Sequence, residues 1–310
     1  KADAPNRSAA QLAEAYQKAI DYLLPLMSAE NVESRYNYQI MFQNMGSHAS
    51  RPGAETQRET LAKVMIENLE QAEMPATVRH WFVLQLERIG KGESVAALAK
   101  LLDSDDRNLA DYARRALEKN PDAGATKVLV DALAKAEDTR WKIGMINALG
   151  ERQAREALDT IAGMLGDADP KVGAAAVTAL ANISGPPSGR ALAAQIGKGN
   201  GPVSLKAAQG MADIAGELAR RSYYSEAGQV YQFLYDGATK KAQDDAEFNA
   251  SSIRAAALNG LAVCAPDKLM QRLAGAMRDN DPKIRAAAVK AARRATTKAP
   301  MKLLCRMMGD

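Results

Sequence analysis

One apolar pattern returns along this chain at a nearly fixed interval, and that interval limits the folds open to it more than any other feature. A large apolar residue is followed eight positions on by a second apolar residue, with small side chains between. The pairs are Val78 and Leu86, Leu109 and Leu117, Trp141 and Leu149, Val172 and Leu180, Val203 and Met211, Ile253 and Leu261, and Ile284 and Ala292. Successive starts lie 31, 32, 31, 31, 50 and 31 residues apart. Self-similarity at such a period signals stacked supersecondary units, none of which can bury its apolar face alone.

Inside a unit the spacing is helical. Val172, Ala175, Ala176, Ala179, Leu180 and Ile183 fall at i, i+3, i+4, i+7, i+8 and i+11, one face of an α-helix. A second helix is expected at Leu158, Ile161, Ala162 and Leu165, and again at Leu269, Leu273, Ala276 and Met277. The segments Asp167–Lys171 and Asp279–Lys283 read as loops that end in helix starts. Asp169 and Asp281 suit the N-cap, where a carboxylate accepts orphan amide protons, and Pro170 and Pro282 suit the first turn, where no donor is lost. Asp103–Arg107 is a variant without proline. Aromatics make up only 5% of the chain while alanine is abundant, which fits a thin two-layer stack of closely approaching helices better than one thick core.

The Asp-x-Asp-Pro-Lys-[Val/Ile] start, followed by paired alanines and a closing leucine, resembles the HEAT repeat. Its short period looks most like the HEAT-like repeats of the phycobilisome lyase group. The resemblance covers roughly residues 78–296. A degenerate eighth unit is expected near Ser34, with Phe42, Met45 and Gly46 matching Leu86, Ile89 and Gly90, and residues 8–27 as an N-terminal capping helix pair or its first half. The implied fold is an all-α, right-handed α-solenoid of about seven to eight HEAT-like hairpins with an irregular N-terminal cap. Four segments follow: a cap with a degenerate repeat (1–77), regular repeats (78–216), a helical insertion (217–252) and terminal repeats with a basic cap (253–310). The resemblance also implies a ladder in which Arg79, Lys142, Arg254 and Arg285, each one residue after a repeat start, pair with loop aspartates of adjacent units, with Asp105, Asp169 and Asp281 as candidates.

The 50-residue interval is about nineteen longer than its neighbours, and the extra stretch, Leu218–Asp236, resembles the first helix of a tetratricopeptide unit, with Tyr224, Ala227 and Tyr231 on one face. Residues 142–222 contain no Phe, Trp or Tyr, and then Tyr223, Tyr224, Tyr231, Phe233, Tyr235 and Phe248 follow within 26 positions. Two readings stand. Bulky side chains fill the gap that an irregular helix creates, or Tyr223, Tyr224, Tyr231 and Tyr235 anchor a partner, as aromatics do at interface hot spots. The following Lys240–Asp245 stretch reads as a solvated connector.

Catalytic chemistry is sparse. The two histidines, His48 in an expected loop and His80, form no His-Glu pair, which sets the chain apart from di-iron hydroxylases built on such repeats. No metal, phosphate-cradle or nucleophile motif occurs; Gly197–Gly201 joins two helices, and Trp81 and Trp141 are expected to fill the core. Cys264 and Cys305 form no motif and are expected as buried free thiols, with one disulfide between them as the alternative, and no run of 18 or more apolar residues is present. Net charge is +4, yet Lys283, Arg285, Lys290, Arg293, Arg294, Lys298, Lys302 and Arg306 follow one another with no Asp or Glu among them. Lys283, Lys290 and Arg294 share one helical face; they serve either as a polar terminal cap or as a docking patch for phosphate, nucleic acid or an acidic protein surface.

The expected function is a non-enzymatic protein–protein interaction scaffold, with no cofactor and no metal, that binds a protein along the concave face lined by second helices. A glycosylase-like DNA-binding protein and a bilin-lyase-like enzyme or chaperone are the alternatives. The opening Lys1-Ala2-Asp3-Ala4-Pro5 suits an exported bacterial protein after leader removal, or a trimmed chain.

Overall fold

A computed structural model describes residues 7–28, 32–71, 74–198, 201–244 and 250–309. Among the described residues there are seventeen α-helices and no strand. The chain falls into two compact units, Lys1–Lys135 and Ala136–Asp310.

Unit 1 holds α1 (Ala9–Met27), α2 (Val32–Ala49), α3 (Glu55–Leu69), α4 (Ala76–Ile89), α5 (Gly92–Leu101), α6 (Arg107–Lys119) and α7 (Ala123–Lys135). Helices α2, α4 and α6 pack in one layer and α3, α5 and α7 in the other, with α1 against α2 and α3. The repeat starts Val78 and Leu109 and their partners Leu86 and Leu117 are all buried, each such side chain contributing about 1.5–3 kcal/mol on leaving water. The Phe42 ring stacks on Phe82 at 4.6 Å between centroids, so these two, rather than the half-buried Trp81, supply the aromatic core of this unit. One buried cation crosses the layers: Arg58 on α3 pairs with Glu93 at 2.5 Å and donates to the Ile89 carbonyl at 2.8 Å. That guanidinium closes the C-terminus of α4 while its charge stays compensated.

Unit 2 holds α8 (Thr139–Glu151), α9 (Leu158–Gly163), α10 (Pro170–Ile183), α11 (Gly185–Lys198), α12 (Gly201–Arg220), α13 (Tyr224–Asp244), α14 (Ala250–Cys264), α15 (Pro266–Met277), α16 (Pro282–Arg294) and α17 (Ala299–Gly309). The first helices α8, α10, α12, α14 and α16 pack in succession. Small residues set their approach. A Cβ built on Gly150 of α8 would lie 2.8 Å from both Cα and Cβ of Ala179 on α10, so the helices meet there backbone to backbone.

The loops between repeats are built alike. Asp169 and Asp281 cap α10 and α16 by accepting from the amides of Lys171 and Lys283. Asp167 and Asp279, two residues earlier, accept from the amides of Asp169 and Asp281 at 2.9 and 3.0 Å. The preceding unit then reaches across. Lys142 pairs with Asp167 at 3.0 Å and Arg254 with Asp279 at 2.5 Å, while Thr139 bonds to Asp169 at 3.0 Å and Ser251 to Asp281. The expected ladder is therefore shifted by two residues, because the capping aspartates spend one oxygen on their own helix and offer the other to a hydroxyl. In unit 1 the position of Asp167 is held by Ser104, and Asp106 receives His80 Nε2 at 2.8 Å; Asp105 is not the partner, and Arg79 donates to the Gln71 carbonyl.

Several expectations are corrected. The 50-residue interval adds no helix: α12 has 20 residues and α13 has 21, against 13 or 14 in α8, α10, α11 and α16. The sequence 217–252 thus supplies the end of one first helix, a whole second helix and the start of the next. Lys240–Asp244 continues α13 rather than forming a connector, since nothing in Thr239–Gln243 breaks a helix; Asp245 and Phe248 lie outside the described residues. His48 sits in the last turn of α2. Around Leu158–Leu165 the second helix is only six residues long, flanked by 3₁₀ turns at Arg155–Ala157 and Met164–Gly166, where Gly163 and Gly166 weaken helix propagation. Both cysteines are free, but Cys305 is exposed and Cys264 half-buried.

The Asp169 amide and the Lys142 ammonium hold the Asp167 carboxyl below the usual range. A depressed folded-state pKa stabilises fully above the unfolded value of about 3.9 and ceases to do so as pH falls through the folded value. Asp167→Asn is expected to cost about 0.5–1 kcal/mol at pH 7, a difference that shrinks as pH falls below the unfolded value of about 3.9, measured by urea unfolding at pH 7 and in acid.

Candidate functional site

The aromatic residues singled out in the sequence divide into two groups. Tyr231 and Tyr235 belong to the seam between α13 and α14. A Cβ on Gly260 of α14 would lie 2.5 Å from three ring atoms of Tyr231, so the ring lies flat on that glycine, and burial pushes the phenol pKa up. Tyr235 is 6% exposed. Its hydroxyl receives Arg254 Nη2 at 3.3 Å, and the guanidinium stands 5.3 Å above its ring. The same arginine ends on Asp279, so Tyr235 supports the inter-repeat ladder and offers no open surface. Tyr223 and Tyr224 are the exposed pair, at 49% and 48%.

Tyr223 is set by the turn that precedes it. Ser222 adopts φ 64°. Its amide donates to the Ala219 carbonyl at 3.0 Å, and the Tyr223 amide donates to Leu218 at 2.8 Å. This is the Schellman closure of a helix, with serine at the left-handed position that usually takes glycine. The end of α8 repeats it: Gln153 has φ 51°, and the amides of Gln153 and Ala154 donate to Gly150 and Leu149. Between them α10 ends on Ser184 at φ 62° and Gly185 at φ 90°. These are the three non-glycine residues with positive φ among the described residues, and all lie in first-to-second helix turns of unit 2.

The three turns enclose a recess. Because α12 runs six residues longer than α10, about 9 Å at 1.5 Å per residue, its end forms a wall beyond the Ser184–Gly185 turn. A groove of about 790 Å³ is lined by Glu151, Thr178, Asn182, Lys206, Gln209, Asp213, Glu217 and Arg220 with neighbouring residues. It adjoins a more apolar pocket of about 530 Å³ walled by Leu158, Ile183, Pro186, Pro187 and Leu218. Arg155, Ile183, Ser184, Gly185, Leu218 and Tyr223 line both. The charged rim is mixed: Glu217 pairs with Arg220 at 2.6 Å, and Arg221 stands 5.6 Å over the Tyr223 ring. Such a site can take an apolar side chain inward and hold polar chain along the groove.

Sequence reasoning missed the pocket floor. Ser184-Gly185-Pro186-Pro187 is a strong turn signal 31 residues after Gln153, in register with it, and that register is the available clue; Ser222 follows 38 residues later, outside the period. Tyr224, the first residue of α13, lines neither recess. Lys283, Lys290 and Arg294 lie together on the exposed side of α16, remote from these tyrosines in sequence and in none of the recesses just described. Among the described residues no group of three or more His, Cys, Asp or Glu side chains could hold a metal ion, and no helix is long and apolar enough to cross a membrane.

Two-layer arrays of consecutive helical hairpins define the class: an α-solenoid. Residues 126–212 match the family described as HEAT repeats. Among solved structures it is similar to the karyopherin Kap121p bound to the extreme C-terminus of the protein phosphatase Cdc14p, at 14% identity and TM-score 0.51 over 99% of this chain and 35% of that one. It is also similar to an engineered protein (17% identity, TM-score 0.40, 93% and 94% covered). A third similar structure is the CpcE–CpcF complex of phycocyanin lyase from Nostoc sp. PCC7120 (16% identity, TM-score 0.37, 87% and 94% covered). At these identities the likeness is one of fold alone. No curated protein sequence matches this chain.

The packing of Tyr231 on Gly260 gives a direct test. Gly260→Ala is expected to destabilise unit 2 by about 1–3 kcal/mol through overpacking. In Tyr231→Ala the same glycine change is expected to be nearly neutral, because the added methyl enters vacated space; a double-mutant cycle in urea unfolding measures the coupling.

Proposed function

We propose that this chain is a non-enzymatic interaction module that holds an extended segment of a protein partner in the recess at Tyr223. The observation that carries this reading is the continuity of an apolar pocket with a polar groove across Ser184, Gly185, Leu218 and Tyr223. An extended chain needs that combination: one anchoring side chain out of water, and polar groups to meet its backbone and flanking charges. The groove is lined by first helices and turns, and the pocket adds Leu158 of α9 and Pro186 and Pro187 at the start of α11, so the binding surface proposed here differs from a face lined by second helices alone. Kap121p, which shares the fold, was solved with the extreme C-terminus of another protein, a precedent for a chain end as the ligand of such an array.

Rigid scaffolding suits the role. The turns under the recess are held by backbone hydrogen bonds in fixed geometry, and Leu218 and Ile183 sit at the ends of long packed helices. A ligand therefore meets a largely preformed surface and loses less free energy to ordering it.

The test is selection of a displayed random-peptide library on the intact chain. Selected peptides are expected to carry a large apolar residue and to bind Tyr223→Ala about 10–30-fold more weakly, as for an aromatic hot spot. Tyr224→Ala is expected to stay within about twofold, since that neighbouring tyrosine lines neither recess. Peptides that bind Tyr223→Ala as tightly as wild type would place the surface elsewhere.

A further inference from the structure

The charge of this chain is concentrated at one end. Removing the eight cations between Lys283 and Arg306 from the 41 Lys and Arg leaves 33 against 37 Asp and Glu, a net of −4 over the rest of the sequence. Those 24 residues alone carry +8. All eight are exposed. They lie on α16, on α17 and in the turn between them, the last hairpin of unit 2.

Their lack of partners is the second observation. Elsewhere in the protein several of the described cations are met by acids: Lys119 by Glu87, Lys142 by Asp167, Arg254 by Asp279 and Arg272 by Asp236. No ion pair is drawn to any of the eight among the described residues; Arg285 donates to the backbone carbonyls of Asp279 and Asn280 instead. A terminal repeat needs a polar outer face, but mixed charges would meet that need without the self-repulsion that eight like charges bring. Favourable placement near a helix C-terminus accounts for Arg293, Arg294 and Arg306 and leaves Lys283, Lys290 and Lys302 without a structural reason.

The chemistry of the surroundings selects the partner. No Phe, Trp or Tyr occurs after Phe248, and among the described residues no large apolar side chain of α16 or α17 is exposed. The patch therefore lacks the anchors of a protein interface, the inserted apolar face of a membrane-bound helix and the aromatic platforms on which single-stranded bases stack. What remains is recognition by charge alone. Lys283, Lys290 and Arg294 at i, i+7 and i+11 run along one face of α16 for about 16 Å, a length over which a nucleic-acid duplex presents about ten phosphate charges. We infer that the C-terminal hairpin binds the phosphate backbone of double-stranded nucleic acid, without reading its sequence. This surface is separate from the recess at Tyr223, and the two can fail independently.

A fluorescent 20-base-pair DNA duplex titrated with the whole chain at several salt concentrations tests the inference. Binding is expected with Kd of about 10⁻⁴–10⁻⁶ M, and log K is expected to fall with log salt at a slope near −3 for about three neutralised phosphates. Lys290→Glu combined with Arg294→Glu is expected to weaken binding about tenfold or more and to flatten the slope. Lys18→Glu combined with Lys127→Glu changes net charge equally on exposed residues of unit 1, and is expected to stay within about twofold. Circular dichroism of both variants reports whether the fold is kept. Equal losses in the two variants would reduce the effect to net charge and overturn the inference. So would the absence of duplex binding at low salt, polyglutamate competing as well as DNA, or retention on phosphatidylserine vesicles without duplex binding.

Discussion

The loop aspartates carry more of this structure than any other residues, because each does two things at once. Asp169 caps α10 with one oxygen and receives Thr139 of the preceding repeat with the other. Asp167 closes the local turn onto the Asp169 amide and takes Lys142. The same four roles recur at Asp281, Ser251, Asp279 and Arg254. Apolar burial pulls consecutive hairpins together but is non-directional, and an alanine-rich surface fits its neighbour in more than one register. A carboxylate fixed by its own helix start and claimed by the previous unit leaves one register. In α10 and α16, local helix initiation and stacking therefore stand or fall together.

That coupling explains which parts of the fold could be read from the sequence. Repeat starts, the 31-residue period and the caps at Asp169 and Asp281 are local signals, and the structure follows them. The ladder partners were displaced by two residues because sequence alone cannot say which of two nearby carboxylates already spends its oxygens on the backbone. The long interval was misread for a related reason. Gly210 through Arg220 keeps helical spacing with Met211, Ile214, Ala215 and Leu218, so a helix that continues looks, in a sequence measured against a fixed period, like a helix that is added.

The candidate site was half legible. Tyr223 stood out as one of a cluster, but its cluster partners went into packing: Tyr231 fills the space left by Gly260, and Tyr235 braces Arg254. A Tyr at helical spacing carries no mark of whether its face meets a glycine or water; only the neighbouring helix decides. The apolar pocket draws on Leu158, Ile183 and Leu218 from three different repeats, and convergence of that kind has no sequence signature beyond the aligned turns.

The same lengthening that obscured the long interval is what gives unit 2 a distinct address. In a uniform array every groove between first helices repeats its neighbour, so a ligand that fits one fits several, and its position is undefined. A first helix extended by six residues breaks that translation once. The turn at its end then faces a shorter neighbour across Ser184–Gly185, and its closing residue, Tyr223, is presented where no earlier repeat places an aromatic. Strain at Ser222 follows from this arrangement, because the helix must stop there to start α13. Serine at φ 64° pays about 1–2 kcal/mol relative to an ordinary helical residue. Glycine would relieve most of that cost, but it would also loosen the backbone that aims Tyr223.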